Sequence, residues 1–269
     1  MPYYSESRFE IALDCHFPRE MEMGKRGKIV HYAGCRDRGS QYRMRVMHLE
    51  AVYTPASPSR ENMGRDEAMQ ESLRPCLRLY TWAPDAISLG CSQQIDVVDM
   101  DACREQGVVV VKRFTGGAAV LHKDDLTYAF FWPARVPPHY RALDLRVRFK
   151  EIFLASFAEL GVVAEACENA RWQMPATNIC FHGQAANEIV IGGRKVAGNA
   201  QRVTRKGVFQ HGSIVFHDHE ELFCSLVEAA RPSGAVTGLC EHAPDATPAR
   251  LAELMIKHTA RVFDLELAE

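Results

Sequence analysis

The spacing of apolar and polar positions changes along this chain, and each change marks an element. Leu77 to Trp82 alternates with a period of two, which predicts a strand. Just upstream, Arg60 to Leu73 (RENMGRDEAMQESL) reads as a helix, with Met63, Ala68 and Met69 as candidate buried positions. Asp96 to Gln106 is helical in pattern and stops at Gly107. Val108 to Lys112 is a β-branched run, which predicts a buried strand, and Leu126 to Trp132 predicts another. A long helix follows from Leu145 to Leu160 and ends at Gly161. Glu188 to Ile191, then Gly192-Gly193, then Arg194 to Arg202 reads strand, tight turn, strand. Gly207 to Phe216 is a further strand pairing nearby, and Thr247-Pro248 opens an amphipathic helix that runs to Phe263. Hairpins with helices packed against them predict an α+β arrangement rather than a doubly wound sheet. Neither a G-x-G-x-x-G turn nor a G-x-x-x-x-G-K-[ST] loop occurs, so a Rossmann dinucleotide site is not expected and a P-loop is absent.

Composition narrows the class. The chain has 269 residues, 47% apolar and 25% charged, which suits a soluble globular protein with a core of its own. Its 32 lysines and arginines against 34 acids give −2, a poor match to a general nucleic-acid binder. That average hides a division: residues 1–46 hold nine basic and six acidic residues, so they carry +3 and the remainder −5. Apolar periodicity is poor in residues 1–46, and Gly24, Gly27, Gly34 and Gly39 interrupt it. They read as a loosely ordered extension of a catalytic domain over residues 47–269, or as sequence upstream of a start at Met44 or Met47. No run approaches the roughly 18 apolar residues of a membrane span. Glu6, Arg8, Glu10 and Asp14 break any signal-peptide pattern, so no membrane association is expected and the expected location is cytoplasmic. The nine cysteines are odd in number and contain no C-x-x-C pair, which disfavours disulfide and zinc frameworks.

Four segments could carry chemistry. Lys112 to His122 (KRFTGGAAVLH) follows a strand, and its run Gly116-Gly117-Ala118-Ala119 would let a ligand approach main-chain N–H groups. Arg113 is placed to meet an anion there; a tight turn with a solvated Arg113 is the plainer reading of the same residues. In Gly192 to Gln201 (GGRKVAGNAQ), period-two geometry puts Lys195, Ala197, Asn199 and Gln201 on one face. Lys195 could then reach into a pocket, or simply lie solvated beside the turn. Cys180 lies in a loop before that hairpin, where a lysine could stabilise its thiolate; a buried inert cysteine is the commoner fate. His211, in Gln210-His211-Gly212-Ser213, is a base, a ligand contact or a satisfied core histidine. His217-Asp218-His219 is a weak metal pattern, and no metal site is expected.

Together these segments resemble the lipoate/octanoate branch of the biotin–lipoate protein ligase superfamily, from about Met47 to the C-terminus. The resemblance rests on Asn62-Met63 with Asp66-Glu67-Ala68, on Trp82 with Ser88-Leu89-Gly90 and Gln93, and on Lys112 to His122, similar to the family's R-R-x-T-G-G-x-A-V-x-H loop. Leu126-Thr127-Tyr128, Gly193 to Gln201 and Gln210-His211-Gly212 extend it. It implies a mixed, largely antiparallel sheet flanked by helices, and a tunnel for a medium-chain acyl group. It also implies attachment of octanoyl or lipoyl to one lysine of a lipoyl carrier domain, either glycine cleavage H protein or a 2-oxoacid dehydrogenase E2. Arg113, Thr115, Gly116, Gly117 and His122 would then line the acyl or acyl-adenylate site with Gly198, Asn199, Ala200 and His211, and Lys195 would reach the acyl carbonyl.

Two chemistries share this resemblance. One takes the acyl group from acyl carrier protein through a cysteine thioester and needs no cofactor; the other activates the free acid with ATP and magnesium. Cys180-Phe181 with Glu188 eight positions after the cysteine is similar to the C-F-x-x-P-S-x-x-E-I segment of cysteine-dependent octanoyltransferases, which favours the first chemistry with Cys180 and Lys195 catalytic. Gln184-Ala185 stand where Pro-Ser is usual, Asn187 before Glu188 is similar to the N-D pair of the ATP-using ligases, Lys112 replaces an arginine, and Asn199 stands where serine is usual. A non-catalytic acyl-binding relative is the further alternative. No helix-turn-helix precedes the domain, so no nucleic-acid partner is expected.

Overall fold

The computed structural model describes residues 47–167, 175–228 and 230–268; the expected extension over 1–46 lies outside them. Two sheets organise the chain. The larger has eight strands, in the order β11 (Glu266–Leu267), β1 (His48–Ser57), β2 (Cys76–Trp82), β6 (Asp125–Pro133), β10 (Gly207–Val215), β9 (Arg194–Thr204), β8 (Ile189–Ile191) and β7 (Glu165–Ala166). β1 pairs in parallel with β2 and with β11, and every other pairing in this sheet is antiparallel. A smaller sheet sets β3 (Ala86–Leu89) between β4 (Val109–Lys112), parallel, and β5 (Val120–His122), antiparallel. This is the expected mixed, largely antiparallel α+β fold.

Strand β6 shows why the core lies where it does. All nine of its residues are buried, because both faces of the large sheet are covered. Tyr128, Phe130 and Trp132 pack into the main core beneath α3 (Ala142–Glu159) and α5 (Pro248–Phe263), while Ala129 and Phe131 belong to a second cluster on the opposite face. On α3 the buried residues Leu145, Phe149, Ile152, Phe153 and Phe157 recur at helical spacing and form one stripe. α5 begins and ends where the pattern predicts: Thr247 Oγ1 accepts from Arg250 N, Pro248 occupies the first turn, and Asp264 adopts the left-handed conformation at the C-terminus. No helix among the described residues is long and apolar enough to cross a membrane.

Three expectations change. The first predicted helix is shorter, α1 (Ser59–Ala68) followed by a single 3-10 turn; its buried residues are Ser59, Asn62 and Asp66, while Met63 and Met69 are partly buried against the second cluster and Ala68 is exposed. A buried arginine opposite this helix, described below, selects a polar face. The second predicted helix divides at Asp99, which caps the short α2 (Met100–Glu105) by accepting from Asp101 N and Ala102 N. Of the β-branched run Val108–Lys112, Val108 is buried as expected, but the strand Val109–Lys112 forms an edge of the small sheet and is not buried, with Val109 40% exposed.

Candidate active site

A cleft of about 250 Å³ opens between the two sheets. Tyr80 and Trp82 of β2, Thr127 of β6, His211 and Ser213 of β10, and Gly198 and Ala200 of β9 supply one side. Ser88, Val120 and His122 of the small sheet, the Arg113–Gly117 turn and the Cys180–Phe181 turn supply the other. The expected segments therefore meet at one place, although they are spread over more than a hundred residues.

The Arg113–Gly117 turn is built from inside by its own arginine. Arg113 is 5% exposed. Its Nη1 donates to Ser88 O at 2.6 Å, and its Nη2 donates to Gly116 O at 2.9 Å and Ala118 O at 2.7 Å. Burial lowers its guanidinium pKa, an effect partly offset by the neighbouring Cys180 and Cys91. Arg113 lines the cleft, and these donors go to backbone carbonyls and brace the loop. The loop also docks on Gly90, where an added Cβ would lie 1.9 Å from Gly117 O, so Gly90 is required for that close approach.

Two histidines face the cleft, each between a hydroxyl and a carboxylate. His122 Nε2 lies 2.8 Å from Ser88 Oγ and its Nδ1 2.8 Å from Asp125 Oδ2, with the ring stacked on Trp82 at 3.9 Å. His211 Nε2 lies 2.6 Å from Thr115 Oγ1, and its Nδ1 lies 3.6 Å from Asp66 Oδ2. Burial lowers the His211 pKa despite Asp66, so the ring is neutral near pH 7. Asp66 also accepts from Tyr80 Oη at 2.7 Å and from Arg78 Nη1 at 2.9 Å, while Arg78 lies over the Tyr80 ring at 3.9 Å. This is the buried arginine that selects the polar face of α1.

Lys195 is fully buried. Its ammonium donates to Gly183 O at 2.8 Å and Cys180 O at 3.2 Å, and pairs with Glu188 Oε2 at 2.8 Å. Phe181 lies below it, with the ring centroid 5.1 Å from Nζ. The predicted shared face of Lys195, Ala197, Asn199 and Gln201 is not formed. A bulge shifts the β8–β9 register between Val190↔Lys195 and Ile189↔Ala197, which inserts one residue and reverses the alternation. Ala197 therefore joins the main core, and Gln201 turns to α3, donating to Ala142 O at 2.7 Å. Gly198 is the residue that faces Lys195: a Cβ there would lie 3.0 Å from Lys195 Cε.

Cys180 begins a 3-10 turn, Cys180–His182, in the cleft wall and is 8% exposed. Its N–H donates to Ala119 O at 2.8 Å, which ties the turn to the small sheet. The seven described cysteines are all free thiols. Burial pushes the Cys76 thiol up to about 12 and raises Cys103 and Cys224 as well, consistent with inert packing residues. Among the described residues no group of three His, Cys, Asp or Glu side chains could hold a metal ion, and His219 Nε2 instead contacts Asp124 Oδ2 at 2.8 Å.

Sequence reasoning did not assign roles to Asp66, Arg78, Ser88, Asp125 or Glu188. Arg78 carried a signal, since a cation inside the apolar run of β2 demands a buried carboxylate partner.

The family model of the lipoyl protein ligase A/B catalytic domain matches residues 58–260. The chain belongs to this family. Among its relatives, octanoyltransferase LipM of Exiguobacterium sp. is 36% identical over 211 residues, covering 71% of this chain and 74% of that protein. Octanoyltransferase LipM of Moorella thermoacetica is 37% identical over 201 residues, covering 68% and 70%. Some other LipM relatives match over less of their length, 64% for that of Anoxybacillus flavithermus. Among solved structures, a lipoate-protein ligase A bound with ATP superposes with a TM-score of 0.69 at 20% identity, covering 84% of this chain and 88% of that one. The bi-partite lipoate protein ligase of Thermoplasma acidophilum gives 0.66 at 18% identity, covering 83% and 86%. At these identities the structural likeness establishes the lipoyl-ligase fold.

Proposed function

We propose that this member of the lipoyl protein ligase A/B family is an octanoyltransferase that moves a medium-chain acyl group from acyl carrier protein to one lysine of a lipoyl carrier domain, with Cys180 as the nucleophile. The carrying observation is that Cys180 lies in the wall of the cleft on a turn whose carbonyls are held by the Lys195 ammonium. The relatives named octanoyltransferase LipM support the same reading.

In the first half-reaction the Cys180 thiolate attacks the carbonyl carbon of the donor thioester. Main-chain N–H groups of the Gly116-Gly117 turn, which lines the same cleft, stabilise the oxyanion in this reading. The tetrahedral intermediate collapses, the carrier thiolate leaves and takes up a proton, and an octanoyl thioester remains on Sγ. The acceptor lysine then enters as a neutral amine, attacks the same carbon and displaces the Cys180 thiolate; the amine proton is lost as the amide forms. Lys195 acts as a fixed cation beneath the turn. With Glu188 at 2.8 Å and two carbonyls to satisfy, it orients the turn and supplies positive potential beside the reacting centre. The acyl tail occupies the cleft against Trp82, Val120, Phe181 and the two histidines. Acyl carrier protein is the donor, glycine cleavage H protein or an E2 lipoyl domain the acceptor, the location cytoplasmic, and no cofactor takes part.

The test offers a lipoyl domain and two donors. Octanoyl-acyl carrier protein without ATP should octanoylate the domain, and Cys180→Ala should abolish it. Modification only from free octanoate or lipoate with ATP and magnesium, retained in Cys180→Ala, would instead make the chain a ligase.

A further inference from the structure

The turn that carries Cys180 packs Cys180 and Phe181 against Ala118, Val120 and Val236, but its internal hydrogen bonds are long. Within it, His182 N donates to Ile179 O at 3.2 Å and Gly183 N to Cys180 O at 3.3 Å, both near the long limit for such bonds. The bond from Cys180 N–H to Ala119 O at 2.8 Å fixes the turn's first residue, and side chains that reach in from outside, Lys195 among them, hold the rest.

The other anchor lies on the far side. The His182 side chain is 4% exposed; its Nδ1 lies 2.9 Å from Thr177 Oγ1 and its Nε2 2.7 Å from Glu220 Oε1. Glu220 opens α4 (Glu220–Leu226), and its side chain is 6% exposed. The carboxylate also accepts from Ser233 N at 2.8 Å, Ser233 Oγ at 2.6 Å and Gly234 N at 2.9 Å. Burial alone would raise this carboxyl, but the hydrogen bonds from Ser233 and Gly234 and the adjacent His182 outweigh it and hold the group below its ordinary range. The segment held in this way continues directly to Lys195: Lys195 N donates to Ala235 O at 2.7 Å, and Thr237 N donates to Lys195 O at 3.0 Å. The contacts close a ring from the Cys180 turn through His182, Glu220 and residues 233–237 to Lys195, and back to Cys180 O.

We propose that His182 and Glu220 are a positioning pair that sets the Cys180 turn against Lys195 for acyl transfer. Neither residue is among those that line the cleft. The inference rests on the reading of Cys180 as the nucleophile. The pair is a costly way to gain stability alone, because both groups lose water, whereas a displaced nucleophile is expensive in rate.

The experiment measures octanoyl-enzyme formation from octanoyl-acyl carrier protein by rapid quench and intact mass. It compares wild type, His182→Ala, His182→Gln, Glu220→Ala, Glu220→Gln and the double alanine variant, each checked by circular dichroism to be folded at the assay temperature. Each alanine variant should acylate about 10–100-fold more slowly, the range a misplacement near 1 Å produces, with KM for the donor within about twofold of wild type. The double variant should be no slower than the slower single one, since the residues act as a unit. His182→Gln and Glu220→Gln keep a polar side chain of similar reach at each position and should recover most of the rate; they carry the test if an alanine variant does not fold. Folded variants that acylate within twofold of wild type overturn the proposal, as do losses that multiply in the double variant. If wild type itself forms no adduct, the reading of Cys180 as nucleophile fails instead.

Discussion

Two buried cation–carboxylate pairs flank the cleft, and they do different work. Arg78–Asp66 joins β2 to α1, with its partners drawn from Asn62, Tyr80 and, through Asp66, His211. Lys195–Glu188 joins β9 to the segment before β8, but the lysine spends two further donors on the carbonyls of the Cys180 turn. The first pair fastens scaffold to scaffold. The second fastens scaffold to the thiol-bearing turn. Burial and pairing distance are nearly the same, at 2.9 and 2.8 Å, so the two pairs differ in the identity of their additional acceptors.

This contrast is sharpened most by neutralising the Lys195 side. In a Lys195→Met/Glu188→Gln protein both charges leave together, so no uncompensated ion stays buried and most of the stability should remain. Octanoyl-enzyme formation should nevertheless fall by about 10²–10³-fold, the usual loss when one fixed electrostatic donor is removed. A rate near wild type in the folded double variant would reduce Lys195 to a second scaffold pair. Arg78→Met is the reciprocal change. It strands Asp66 and should cost about 3–5 kcal/mol of folding free energy in chemical denaturation. At a temperature where the variant is folded, acylation should stay within several-fold of wild type.

The smallest effect comes from pH. The folded-state pKa of His211 is lowered by burial, so the folded protein binds fewer protons there than the unfolded chain does. Stability from this site is complete above the unfolded value of about 6.5 and declines as pH falls below it. Thermal midpoints should therefore drop as pH falls below about 6.5, and His211→Gln should flatten that part of the profile. An unchanged slope in the variant would remove His211 from the Asp66 network.

The same contrast explains what was legible in the sequence. Residues with strong local signals appeared where expected: the cap and proline at Thr247-Pro248, the Gly192-Gly193 hairpin turn, and the apolar run of β6. The residues gathered at the cleft were legible as motifs, but their roles depended on long-range geometry. One inserted residue in β9 reversed the face assigned to Ala197 and Gln201, and alternation alone carries no sign of such a bulge. The polar face of α1 could be understood only with Arg78 opposite it, and the brace formed by Arg113 only with Ser88 O and Ala118 O in place. Strand β3, at the centre of the small sheet, escaped because four residues offer too little periodicity.

The central claim is that the acyl group passes through Cys180. Intact mass spectrometry after incubation with octanoyl-acyl carrier protein, without acceptor or ATP, tests it directly. The account predicts a gain of one octanoyl group on wild type, released by neutral hydroxylamine and absent in Cys180→Ser. An adduct of equal yield in Cys180→Ser, or no adduct in wild type while the acceptor is still octanoylated, would contradict it.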